Sequence, residues 1–207
     1  RPRGDRKMTT TIVLGLSSGE VVAIVVGVTI LVALIAVVSM YNRLVRLRQF
    51  CKESWSDTDT ELQRRHDLIP NLVSSVKGYA AHESKVMEEV TRLRNQAVSE
   101  KSDDPATRAA VEDGLGAATK QMIATAEAYP DLKADSNFLK LQTELSETET
   151  RIARARRFYN SNVRGFMEAI QTFPSSIVAG MTGFRGEEFV YFKADQSSRE
   201  AIDVEFK

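Results

Sequence analysis

Between Val21 and Met40 the chain reads VVAIVVGVTILVALIAVVSM, twenty residues without a charge, a proline or a side-chain amide. As a helix rising ~1.5 Å per residue, such a run is about 30 Å long, the thickness of a bilayer's hydrocarbon core. Lipid accepts this backbone only if every amide and carbonyl is paired within the segment, which a helix does. A cleaved signal sequence is the competing reading, but its apolar region is typically about 7–15 residues and ends at a small-residue cleavage site. Here Tyr41, Asn42 and Arg43 follow directly and the helical pattern continues beyond them. A retained, single-pass membrane anchor is therefore expected, with a short tail over 1–20, a span over 21–40, a helical bundle over 41–173 and a C-terminal hook and tail over 174–207.

Orientation rests on the basic residues. Arg43, Arg46, Arg48 and Lys52 follow the span, whereas Arg1, Arg3, Arg6 and Lys7 precede it, so a plain count is a tie. Met8 offers a start after which MTTTIVLGLSSGE carries no lysine or arginine. On that reading the N-terminus faces outward and the bundle lies in the cytoplasm.

The charge balance, 28 basic against 28 acidic residues, argues against a nucleic-acid partner. One cysteine, Cys51, and two histidines, His66 and His82, leave no disulfide framework and no multi-histidine metal cage, so no cofactor or metal is expected.

Beyond the span, apolar residues recur at alternating steps of three and four, which sets them on one helical seam. The clearest seam runs Phe138, Leu141, Leu145, Thr148, Ile152, Ala155, Tyr159, Asn162, Phe166, Ala169. A second runs Ile69, Leu72, Val76, Tyr79, Glu83, Val86, Val90, Leu93, Ala97, and a weaker one runs Leu44, Leu47, Cys51, Trp55, Thr58, Leu62. A small-residue helix carries Val111, Leu115, Ala118, Met122, Ala126 and Tyr129. Asp67 can cap the second helix with Pro70 in its first turn, the alternative being a kink in one continuous rod. SEKSDDP (99–105) and YPDLKADS (129–136) read as turns, with Ser136 as the cap of the last long helix and Pro174 beyond its end. The fold expected is all-α: a transmembrane helix continuing into an antiparallel, four-helix-type bundle of long, coiled-coil-like helices.

Antiparallel first and last helices would place Asp57 level with Arg156 at ~24 Å above the bilayer, Glu61 with Arg151 at ~30 Å, and Arg65 with Glu147 at ~36 Å. Pairs of this kind contribute about 0–1 kcal/mol each when exposed but select register.

The stretch YNRLVRLRQFCKESWSDTDTELQRRHDLIPNLVSSVKGYAAHES resembles the LemA family of bacterial membrane proteins, through Trp55, Leu62, Arg64–Arg65, DLIPNLV and VKGYAAHE. RIARARRFYNSNVRGFMEAIQTFPSSIVAGMTGF is similar to the family's later signature, including Arg156-Arg157-Phe158-Tyr159-Asn160 and Phe173-Pro174. Thr58 departs from the pattern, where a larger apolar residue is usual, as does Phe166-Met167, where a Tyr-Asn pair is common. The resemblance implies an N-terminal anchor with an outward N-terminus and a helical bundle, and it implies no reaction. It also implies a setting in membrane organisation, since some relatives are linked to magnetosome membrane formation and members often accompany membrane proteases.

Catalytic readings compete poorly with structural ones. His82-Glu83 lacks a legible nucleophile or further ligands. Glu83 falls on a seam, level with Tyr159 as a hydrogen-bond donor, so a buried polar pair is expected. Cys51 reads as a small core residue, and GMTGFRGE (180–187) is neither a Walker loop nor a dinucleotide fingerprint. In PSSIVAGMTGF (174–184), Ile177, Val178, Met181 and Phe184 share one helical face, which either closes the bottom of the bundle or lies in the membrane interface. Small residues four apart in the span, Ala23 with Gly27 and Thr29 with Ala33, allow close helix approach. The expected function is that of a non-catalytic, membrane-anchored scaffold that organises a membrane patch, with lipid and further copies of itself as partners. The alternative is an adaptor or regulator of a membrane enzyme, such as a membrane protease, with that membrane protein as partner.

Overall fold

A computed structural model describes residues 17–80, 82–100 and 105–192. Helix α1, Ser18–Tyr79, is 62 residues long, about 93 Å at the usual rise. It starts on a reciprocal cap: Ser17 Oγ accepts from the Glu20 amide at 3.4 Å, and Glu20 Oε2 accepts from the Ser17 amide at 2.7 Å. The Ser-x-x-Glu spacing is a capping box, so the helix begins three residues before the apolar run, inside the stretch expected to be tail.

Pro70 does not end this helix. The expectation that Asp67 opens a second helix is therefore corrected, and the continuous-rod alternative holds. A proline within a helix leaves the carbonyl four residues earlier without its amide donor. That carbonyl belongs to His66, and Arg94 Nε from the next helix donates to it at 3.3 Å. The second seam is accordingly divided. Ile69 to Tyr79 end α1, and after a turn the pattern resumes in α2, Ser84–Ser99.

Helix α3 spans Pro105–Ala126 and packs against α2; a short helix α4, Pro130–Ala134, lies within the loop expected over 129–136. Helix α5, Ser136–Gln171, runs back along α1. Its cap is Asp135 rather than Ser136: Asp135 Oδ1 accepts from the amides of Asn137 at 2.8 Å and Phe138 at 2.9 Å. A carboxylate reaching two orphan amides is the stronger cap. Tyr79 donates to the other oxygen of Asp135 at 3.2 Å and so ties the end of α1 to the start of α5.

After Pro174 the chain folds back as α6, Ser175–Thr182, which packs against both α1 and α5. Gly183, at φ 76°, closes it in the left-handed conformation, with the Phe184 amide donating to Ala179 O at 3.1 Å. A 3-10 turn, Gly186–Glu188, and an extended segment to Phe192 complete the described chain, in which no strand forms. Asn160 holds that segment as another backbone would, donating from Nδ2 to Phe192 O and accepting from the Phe192 amide, both at 2.9 Å.

Beyond Met40, α1, α2, α3 and α5 form the all-helical bundle. Its upper core is Ile69, Leu72, Val76, Val90, Leu115, Met122, Phe138 and Leu145, among others. A lower core gathers Cys51, Tyr159, Val163, Phe166, Phe189 and Phe192, with Trp55 against it. Below that, Leu44 meets Ala169, Val178 and Ala179. By contrast, the large apolar side chains from Val21 to Val38 lie exposed on a bare rod.

Candidate functional site

Two features stand out from the packing: a buried polar layer between the upper and lower cores, and an apolar base where α1 leaves the bare rod.

The polar layer is drawn from three helices. Arg65 and His66 come from α1, Glu112 from α3 and Glu149 from α5, and the first three are at most 2% exposed. Arg65 forms an ion pair with Glu112 through Nη2, which also donates to Glu112 O at 3.0 Å, and Arg65 Nη1 donates to Glu149 Oε1 at 2.9 Å. His66 Nε2 lies 2.9 Å from the other Glu112 oxygen. An ionised carboxylate only accepts, so His66 donates there from Nε2.

Burial by itself weakens the charge on Arg65, but Glu149 and Glu112 outweigh it and hold the guanidinium's pKa above its ordinary value. Burial likewise works against ionised Glu112, yet the His66 hydrogen bond and the Arg65 charge hold its carboxyl below its ordinary value. Gly116 makes room for this arrangement, because a Cβ there would stand 3.2 Å from Arg65 Nη1.

Two further ion pairs lie lower down, beside the aromatic cluster of Trp55 and Phe192. Arg108 pairs with Asp59 and lies over the Trp55 ring. Arg156 Nη1 donates to Asp113 Oδ1 at 2.5 Å, and the guanidinium lies 5.1 Å from the Phe192 ring centre. Phe192 stacks on Trp55 and meets Tyr159 edge-on.

These contacts revise the expected charge pairs. Arg156 pairs with Asp113, and Asp57 is exposed on the outer face of α1. Arg151 pairs with Glu147 within α5, and Glu61 with Arg64 within α1. Arg65 meets Glu149 and Glu112 in place of Glu147. Height along a helix does not fix azimuth: residues 147 and 149 are adjacent in height but about 200° apart around the axis. Helix α3 then intercepts Arg65 and Arg156.

Glu83 is half-buried and accepts from Tyr129 at 3.1 Å, while Tyr159 lies buried near the other end of the bundle against Trp55 and Phe192. The expected Glu83–Tyr159 pair does not form, because the turn after Tyr79 places Glu83 at the far end. Cys51 is fully buried, and burial, then the Glu188 charge, push its thiol up to about 11. The departing residue Thr58 is buried and donates to Ser54 O at 2.8 Å within its own helix. The other departure, Phe166, is buried against Phe184 and Phe189.

At the apolar base the four hook residues divide. Val178 is buried, and Phe184 packs on Tyr41 with ring centres 5.9 Å apart, so these two close the bundle. Ile177 and Met181 point outward, 56% and 83% exposed.

Sequence reasoning missed Glu112, His66 and Glu149. Glu112 interrupts the small-residue seam one position from Val111, and an acidic residue there is the signal that could have found it. Asn160 was present in the motif but its partner, Phe192, lies 32 residues on.

What the arrangement can do chemically is limited by its closure. The layer's cation and carboxylates are spent on one another, and no group of three or more metal-ligating side chains forms among the described residues.

A family model, that of the LemA family, matches residues 54–206, which take in all of the polar layer and, at the base, α6 but not the α1 residues it packs on. The chain belongs to the LemA family. Among relatives it is similar to the magnetosome proteins MamQ 1 and MamQ 2 of Paramagnetospirillum magneticum, each 26% identical over 190 residues, 80% of this chain and 70% of the relative. It is also similar to Protein LemA of Metamycoplasma hominis, 27% identical over 141 residues, 67% of this chain and 63% of that protein. This LemA-family chain has one helix, α1, long and apolar enough to cross a membrane among its described residues.

Proposed function

We propose that this LemA-family protein is a membrane-anchored helical scaffold that organises a membrane patch by self-assembly, with its bundle on the cytoplasmic side. The observation that carries the reading is the change of surface along one unbroken helix. From Val21 to Val38 the large apolar side chains of α1 are exposed; from Leu44 onward its apolar seam is buried in the bundle. Exposed apolar surface of that extent, on a helix long enough to span a bilayer, finds a stable place in lipid. With no loop between rod and bundle, the bundle is a stiff body held close to the bilayer. Confinement to two dimensions then raises its local concentration, which favours association between copies.

The similarity to magnetosome proteins supports a role in membrane organisation over a reaction. Catalysis is disfavoured because Arg65, His66 and Glu112 are buried and tied to one another, whereas a general acid or base must reach a substrate.

The groove lined by Arg64, Leu68, Glu144, Glu147, Thr148 and Arg151, about 340 Å³, keeps an adaptor role as the second reading. Its mixed charges and apolar floor suit an extended segment of a membrane enzyme. Extraction in mild detergent, crosslinking and mass measurement separate the two. Self-assembly gives multiples of the 23.1 kDa chain without any added protein. A single copy bound to a foreign subunit would replace the scaffold by the adaptor.

A further inference from the structure

The base of the bundle carries an apolar surface that its own packing does not use. Helix α6 has two faces. Its inner face, Val178 and Ala179, is buried against Leu44 and Ala169. Its outer face presents Ile177 and Met181, four residues apart and hence on one side of the helix. Phe173, in the connection just before it, is 76% exposed. Three large apolar side chains of this short stretch thus stand exposed, unused by the packing of the described bundle.

Their height is fixed by α1. Phe184, which follows α6, packs on Tyr41, the first residue after the twenty-residue apolar run, and Leu44, one turn further, touches α6 directly. The patch is therefore continuous with the end of the bare rod, at the level where a bilayer around that rod gives way to headgroups. Arg43, Arg46 and Arg185 are exposed in the same zone. Apolar side chains rimmed by arginines are the composition of a segment lying in the interfacial plane.

We infer that α6 is a second membrane contact: Phe173, Ile177 and Met181 lie in the headgroup–acyl boundary beside the span and hold the bundle at a fixed tilt on the membrane surface. The occupant of the patch is lipid. This rests on the anchoring reading above, since a chain without an inserted rod would have no membrane at this height. A second copy covering the same face is the competing occupant and predicts a different accessibility.

The test uses the full chain in vesicles of phosphatidylcholine and phosphatidylglycerol. Single variants Ile177→Cys and Met181→Cys receive a solvent-sensitive fluorophore at neutral pH. The native Cys51 is fully buried, and the unmodified chain carried through the same labelling gives the blank. Leu34→Cys reports insertion of the rod, and Glu88→Cys, exposed on α2, reports bulk water.

The labels at 177 and 181 should be quenched several-fold more strongly by a nitroxide lipid with a shallow probe than by aqueous iodide, with blue-shifted emission, and the label at 88 should behave in the opposite way. Iodide quenching at 177 and 181 equal to that at 88 would overturn the inference. So would protection from both quenchers, which would assign the face to a protein partner. In both of these cases the label at 34, quenched by a deep acyl-chain nitroxide, would leave the anchoring intact. A label at 34 open to iodide would instead remove both.

Discussion

Arg65 is fully buried, and its cost is offset by carboxylates from two other helices and by the Glu112 carbonyl. Removing one partner of a buried pair typically costs about 3–5 kcal/mol, because the other charge remains in a poor solvent. Glu112→Gln should therefore lower the melting temperature of the bundle markedly, read by circular dichroism in detergent. The pH dependence has a definite sign. Glu112 has a folded pKa below its unfolded value, so its contribution is complete above the unfolded value of about 4.5 and is lost as pH falls through the depressed one. Acidification through that window should destabilise the parent chain, and this component should vanish in Glu112→Gln. Gly116 gives a second check. Alanine normally stabilises a helix over glycine by ~1 kcal/mol, and Gly114→Ala, whose new methyl meets only Leu93 at 3.8 Å, should show such a gain. Gly116→Ala crowds the buried Arg65 at 3.2 Å, an overpacking cost of about 1–3 kcal/mol that should cancel or exceed that gain in the same melt. A glycine in a helix reads from sequence as a weakness. That one of the two makes room for a buried guanidinium depends on a contact between residues 65 and 116, which no local pattern encodes.

At the scale of elements, the helices were legible from three- and four-residue periodicity, and the polar layer was not. The seam from Phe138 to Ala169 holds almost without exception: only Ala155 on it is less than fully buried among the positions up to Tyr159, and Asn162 lies at the edge donating to Phe50 O at 3.4 Å. Pro70 was ambiguous because the missing amide can be made good only by something distant in sequence, and Arg94 is that partner. Leucine at position 94 leaves the His66 carbonyl unpaired and should cost about 1–3 kcal/mol. Alanine at position 70 restores an amide to the same carbonyl. The double variant Pro70→Ala, Arg94→Leu should therefore lose less than the sum of the parts, measured as a double-mutant cycle in denaturant. A strictly additive cycle would mean that Arg94 acts elsewhere. Register between α1 and α5 was likewise half legible: the periodicity pointed to two long helices packed side by side, but which azimuth each charge occupied depended on where α3 lies.

For the molecule as a whole, the decisive property is mechanical continuity between a lipid-facing rod and a water-facing bundle. Residues 40–47 belong to both: Met40 and Leu47 pack against the base cluster around Leu44, and the helix has no break there. A flexible joint would let the bundle tumble, and neither a fixed tilt nor an ordered array would follow. Hydrogen–deuterium exchange of the full chain in vesicles measures this directly, because amide protection reports helix opening residue by residue. Slow exchange should run without interruption from the apolar run through residues 40–47 into the buried half of α1. Fast exchange confined to 40–47 would contradict a rigid rod, and fast exchange over 21–40 in the presence of lipid would contradict the anchor itself.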